Sequence, residues 1–154
     1  MADVSVTRQI AAPPDVVYAL VTDLPRMGEW SPENEGGSWV GGATGAEVGA
    51  KFKGENANHG KSWSTVAKVT DADPHRTFGF DVTALGLLPI SRWRFDISPT
   101  DSGCTVTESW TDRRPRWFRP IATKLSGVAD RVEFTEGSMQ QTLEQLATEA
   151  ESTG

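Results

Sequence analysis

Glu108 has the clearest capacity for chemistry in this chain. It lies between Val106 and Trp110 in an alternating run, so a regular strand points its carboxylate to the same face as those two apolar side chains. A carboxylate there costs several kcal/mol unless it is paired or wetted. Such a group suits the anchoring of a ligand hydroxyl, or general acid/base work with a pKa tuned by apolar surroundings. The structural alternatives are a bulge that turns it to solvent, or an ion pair with Arg113 or Arg92. Asn56 and Asn58 share parity with Phe52 and aim amides at the same face, although for Asn58 a turn before Gly60 is the simpler reading. The stretch Arg113-Arg114-Pro115-Arg116-Trp117-Phe118-Arg119-Pro120 suits an anionic head group or carboxylate, or else a solvated loop partnered by Asp112.

Other chemistries are poorly served. Gly60-Lys61-Ser62 has Glu55 where a phosphate-cradling loop needs its first glycine, and no Gly-x-Ser-x-Gly elbow occurs. His59, His75 and Cys104 offer no metal-ligand spacing, and Asp71-Ala72-Asp73-Pro74 reads as a turn. Neither a metal nor a cofactor is therefore expected. Fifteen Lys and Arg against twenty-one Asp and Glu give a net charge of −6, which argues against nucleic acid as the main partner. Cys104 is the single cysteine, so no intramolecular disulfide forms, and a reducing, cytoplasmic setting is expected. No run approaches the ~20 apolar residues of a membrane span, and Met1 to Ile10 carries no signal-like apolar core.

The elements that must position these residues follow from periodicity. Val4, Val6 and Ile10 alternate with Ser5, Thr7 and Gln9 as a half-buried strand. Pro14 suits the first turn of a helix carrying Val16, Val17, Leu20 and Val21, and Asp23 suits the cap of a second short one. Six strands are expected at 35–41, 48–58, 61–71, 76–83, 91–98 and 104–112. One parity is apolar (Phe52, Trp63, Phe78, Phe80, Val82, Trp93, Phe95, Ile97, Val106, Trp110), and the other carries Lys51, Lys53, Glu55, Asp81, Arg92, Arg94 and Asp96. After Pro120 the period becomes helical. Phe118, Ile121, Leu125, Val128, Val132, Met139, Leu143 and Leu146 form a stripe that Thr135 alone interrupts. Gly127 and Gly137 are tolerable in that helix if it approaches the sheet closely or bends. The 154 residues make one α+β domain, with an ordered core at about 3–149 and a flexible tail at 150–154.

This order resembles the helix-grip fold of the START and Bet v 1-like (SRPBCC) superfamily, closest to its bacterial polyketide cyclase/dehydrase and lipid-transport branch. The residues carrying the likeness are Met27-Gly28-Glu29-Trp30-Ser31-Pro32-Glu33, Trp39-Val40-Gly41-Gly42, Gly49-Ala50-Lys51-Phe52, Trp63-Ser64-Thr65, Thr107-Glu108-Ser109-Trp110 and Met139-Gln140-Gln141-Thr142-Leu143. The resemblance implies a seven-stranded antiparallel sheet wrapped around a long C-terminal helix, with two short helices after the first strand. It also implies a cavity between sheet and helix for a lipid, polyketide or other hydrophobic or amphipathic molecule. The expected lining is Trp30, Trp39, Phe52, Asn56, Trp63, Phe78, Phe80, Trp93, Phe95, Trp110, Arg113, Phe118, Ile121 and Leu125, with Trp30 and Trp117 beside the entrance. Three functions stay open on these residues. One is a carrier or sensor without cofactor, and another is a cyclase or dehydratase-like enzyme using Glu108. The third is a protein-interaction module built on the apolar loop Ala84-Leu85-Gly86-Leu87-Leu88-Pro89-Ile90. The chain would be a monomer or homodimer without stable membrane insertion.

Overall fold

The computed structural model describes residues 2–30, 34–58, 60–84, 87–126 and 131–153, and the side chains at 125, 126 and 153 fall outside that description. Alternating runs become β1 (Val4–Ile10), β2 (Asn34–Val40), β3 (Lys51–Asn58), β4 (Lys61–Asp73), β5 (Thr77–Ala84), β6 (Leu88–Thr100) and β7 (Gly103–Asp112). They form one antiparallel sheet in the order β1-β7-β6-β5-β4-β3-β2. From β2 to β7 every strand pairs with its neighbour in sequence, as short connections favour, and β1 adds to the β7 edge. One face is buried and one is wet. In β7 the buried members are Cys104, Val106, Glu108 and Trp110, while Thr105, Thr107 and Ser109 between them are part-exposed.

Helix α1 (Pro14–Val21) begins on Pro14, whose missing N–H belongs to the first turn in any case. A 3-10 helix follows at Leu24–Glu29. After β7 come α2 (Arg119–Ser126) and α3 (Arg131–Thr153). The described part of the apolar stripe lies on α2 and α3, and Leu125, Val128, Gly127 and Asp130 lie outside the described side chains. Ile121 and Val132 stand 45% and 48% exposed, because packing against the sheet begins only further along α3. Met139 packs with Val4 and Trp110, while Leu143, Leu146, Ala147 and Ala150 join Ile10, Val17, Val21 and Leu24 in the main core. The expected flexible tail from 150 is corrected by this packing. Ala150 is fully buried, Ala11 N–H donates to Glu151 Oε2 at 3.0 Å, and α3 runs to Thr153.

Two glycines show what backbone geometry requires. Gly103 has a φ of 152°, and a Cβ there would strike the Ile10 carbonyl and lie 2.7 Å from Ala12 N, so β1 and the β6–β7 turn meet only without a side chain. Gly137 is different: a Cβ on it meets nothing within 4 Å. Close approach to the sheet therefore does not explain this glycine. Gly137→Ala is expected to raise stability by about 1 kcal/mol, read as a higher urea midpoint with an unchanged m-value.

Candidate functional site

The C-terminal half of α3 lies against β1 and α1, but its N-terminal half does not fill the concave face. The residues it presents, Arg131, Phe134, Thr135, Ser138 and Thr142, recur at helical spacing and are mostly small. A cavity of about 570 Å³, partly open to solvent, remains between them, α2 and the sheet. That volume is within the ~300–1,000 Å³ typical of small-molecule sites.

Aromatic rings supply most of its wall. Phe52 comes from β3, Trp63 from β4, Phe80 from β5, Trp93 and Phe95 from β6, Trp110 from β7 and Phe118 from the approach to α2. Trp93 and Trp110 are register partners on adjacent strands, with ring centroids 6.5 Å apart. Their order is reinforced locally, since Trp93 Nε1–H donates to Ser91 Oγ at 2.9 Å. The β5–β6 pairing shifts register between Val82 and Thr83, leaving Ile90 as the extra residue, and so both Ile90 and Ser91 reach the cavity. Asn56 Nδ2 donates to Thr65 Oγ1 at 3.1 Å, forming a polar pair on the β3–β4 wall.

Glu108 sits within this apolar wall, opposite Val6 on β1 and Phe95 on β6. It is 3% exposed, and its Oε1 has no hydrogen-bond partner among the described residues. Burial pushes its carboxyl well above the usual carboxylate range. Both structural alternatives fail. The strand stays regular through Glu108, and Arg92 and Arg113 instead hold Asp81 on the outer face, at 2.7 and 3.0 Å. Hydrogen bonds from Arg92, with Arg113 adding its charge, keep the Asp81 carboxyl below its ordinary range.

Arg114 turns inward where Arg113 turns out. Its Nε and Nη2 hold the two Asp112 oxygens at 2.9 and 2.8 Å, and the pair is 10% and 8% exposed at the cavity rim. Burial alone would raise the Asp112 carboxyl, but the Arg114 side-chain and backbone hydrogen bonds outweigh it and hold it low. Its stabilising effect is complete above the ordinary carboxyl pKa and is lost as pH falls through the lowered value. Arg114→Ala is expected to cost about 2–3 kcal/mol at neutral pH, less than a wholly isolated buried charge because the Arg114 N–H still donates to Asp112. Chemical denaturation at pH 7 and again at pH 3 checks this, with the loss shrinking at the lower pH.

Nine of the residues singled out by sequence line this one cavity: Phe52, Asn56, Trp63, Phe80, Trp93, Phe95, Glu108, Trp110 and Phe118. Phe78 has the right parity but lies outside the lining, fully buried near Phe80 at 5.6 Å in the packed core. Trp30 is buried under the Arg26 guanidinium, and Trp39, the register partner of Phe52, packs edge-on against that ring without lining the cavity. Arg113 faces outward to Asp81, Ile121 is exposed, and the Leu125 side chain is outside the described residues. Arg114, from the arginine-rich stretch, also lines the cavity, whereas sequence reasoning missed Leu24 and Met27 and the α3 face of Phe134 and Ser138. Helical spacing from Arg131 through Ser138 to Thr142 was the available signal, hidden because serine and threonine do not read as a lining.

Sheet, grip helix and the apolar cavity between them define the α+β helix-grip fold of the START and Bet v 1-like superfamily. Within it, the chain belongs to the polyketide cyclase / dehydrase and lipid transport family, whose model matches residues 1–151. A solved structure from Chromobacterium violaceum is similar at 19% identity and a TM-score of 0.73, over 98% of this chain and 99% of that one. A Polyketide_cyc-like protein from Corynebacterium glutamicum shares 31% identity with a TM-score of 0.60, over 96% and 88%. The di-domain ARO/CYC StfQ of the steffimycin biosynthetic pathway gives 15% identity and 0.75, over 97% of this chain and 50% of StfQ. No curated protein sequence matches the chain.

Proposed function

We propose that this protein binds a hydrophobic or amphipathic small molecule, of the lipid or polyketide kind, in the cavity between sheet and α3, as a carrier or sensor. The observation that carries this reading is the apolar cavity itself, ligand-sized and with a buried carboxyl in its wall whose Oε1 has no hydrogen-bond partner among the described residues. The apolar body of the ligand lies against Trp63, Phe80, Trp93, Phe95, Trp110 and Phe118. Affinity comes from removing that surface from water, at about 25 cal/mol per Å² before the costs of association. Glu108 fixes orientation by hydrogen bonding to a hydroxyl or carbonyl carried partway along the molecule, because only such a partner satisfies Oε1 without water. Trp30, Trp39 and Phe78 pack in the core cluster that includes the wall residues Phe52 and Phe80. Native mass spectrometry of freshly purified protein tests this. A stoichiometric apolar adduct, or its quantitative acquisition from an added lipid mixture, is expected; bare protein that acquires nothing refutes it.

A second reading is favoured by the isolation of Glu108. A carboxyl kept protonated by apolar surroundings serves as a general acid toward a bound hydroxyketone-type chain. It gives its proton to the leaving hydroxyl, which departs as water, and the resulting Glu108 carboxylate takes the proton of the adjacent C–H as the carbon–carbon double bond forms, which restores the carboxyl. If Glu108→Gln binds such a substrate as wild type does yet fails to dehydrate or cyclise it, the enzymatic reading stands and the carrier reading falls.

A further inference from the structure

The mouth of the cavity carries a surface that ligand binding does not explain. Among the described residues five large apolar side chains are exposed; three of them adjoin a lining residue in sequence and a fourth lies between two lining residues. Trp117, 67% exposed, precedes Phe118 and meets its ring edge-on at 5.8 Å. Ile121 precedes Ala122, Val132 follows Arg131, and Leu87, 90% exposed, lies between Ala84 and Ile90 on the β5–β6 hairpin. Only Val48 stands elsewhere.

Charge is concentrated in the same place. Residues 113–124 contain Arg113, Arg114, Arg116, Arg119 and Lys124 and no acid, whereas the rest of the chain has ten Lys and Arg against twenty-one Asp and Glu. Arg113 and Arg114 are taken up by Asp81 and Asp112. Arg116 and Lys124 have no carboxylate partner among the described residues, and the nearest carboxylate to Arg119, that of Asp112, is 3.9 Å away and already held by Arg114. An exposed tryptophan beside aliphatic side chains and solvated cations matches the interfacial zone of a bilayer, where indole rings settle and anionic head groups attract Lys and Arg.

We propose that this rim docks reversibly on an anionic lipid surface, with the cavity mouth facing the bilayer. A second copy of the chain fits less well, because a two-fold contact would set this cationic stretch against itself. Nucleic acid would use the cations but leave Leu87 and Val132 without a role. The rest of the chain carries more than twice as many acids as bases and is repelled by the same membrane, so the docking orientation is set by charge as well as by the apolar rim. Docking stands whether or not the cavity proves to hold a ligand.

The test is co-sedimentation of the full chain with vesicles of phosphatidylcholine alone and of equimolar phosphatidylcholine and phosphatidylglycerol. Binding to the mixed vesicles that weakens with added salt is expected, with little binding to phosphatidylcholine. Each surface cation contributes about fivefold, so Arg116→Glu with Arg119→Glu should lower partitioning by at least about 25-fold. Trp117→Ser with Ile121→Ser should lower it about tenfold at unchanged charge. All four positions are exposed, and circular dichroism together with uptake of a neutral apolar dye confirms that fold and cavity persist in both variants. Equal binding to the two vesicle types, or wild-type binding by the charge-reversed variant, overturns the proposal. So does concentration-dependent dimerisation abolished by Trp117→Ser. Binding to polyuridylate that matches vesicle binding and is indifferent to Trp117→Ser would assign the cations to nucleic acid instead.

Discussion

Ala67→Phe combined with Ser138→Phe is expected to weaken uptake of an apolar molecule by about a hundredfold or more while leaving the fold intact. Ala67 lies on β4 and Ser138 on α3, so the two new rings enter the cavity from opposite walls. Each methylene kept out of the cavity forfeits about 0.8 kcal/mol. Excluding about four of them costs roughly 3 kcal/mol, which is about a hundredfold in Kd. In a tightly packed core the same substitutions would overpack and destabilise by roughly 1–3 kcal/mol each. Here the rings occupy existing space, so the thermal midpoint should hold or rise. Fluorescence titration with a neutral naphthylamine dye, with a melting curve on the same samples, reads both effects. Unchanged affinity would place the bound dye elsewhere, and a collapse in stability would mean that the space is already filled.

Glu108→Gln is expected to gain stability over wild type progressively as pH rises. Burial holds the native carboxyl well above its ordinary pKa of 4.5. Between that value and the raised one, the folded protein keeps a proton that the unfolded chain has released. Wild-type stability therefore falls with pH across this window and levels off above the raised value. The amide has nothing to titrate, so its advantage grows by about 1.4 kcal/mol for each pH unit inside the window. Asp81 and Asp112, whose carboxyls are held low, act with the opposite sign at acid pH but are common to both proteins and cancel in the difference. Urea denaturation of the two proteins from pH 4 to pH 9 measures the difference directly. A difference independent of pH would show that Glu108 is ionised and solvated in the native state.

Much of this architecture was legible because strand parity is a strict signal. A two-residue period leaves no choice of face once Val106 and Trp110 are buried, and it carried Glu108 inward with them. Parity does not say how far a facing helix stands from the sheet. Phe78 and Phe80 share a face and are two residues apart, yet Phe80 lines the cavity and Phe78 is sealed in the core. The difference lies in where α3 comes to rest, which depends on α1 and β1. Arg113 was out of reach for another reason: it follows the last residue of β7, where alternation no longer constrains direction, and its destination is Asp81, thirty-two positions earlier. On α3 a cavity wall needs small side chains, and Ser138 and Thr142 carry no hydrophobic signature.

The proposed ligand site is the space between β3–β7 and the N-terminal half of α3. Methyl-resolved NMR during titration with the neutral naphthylamine dye tests it most directly. Ala67, Val82 and Ala122, which line the cavity from β4, β5 and α2, should shift together and saturate at one equivalent. Ala147 and Ala150, buried at the far end of α3, should not follow them. Shifts confined to exposed methyls such as Val48, or none at all, would contradict the account.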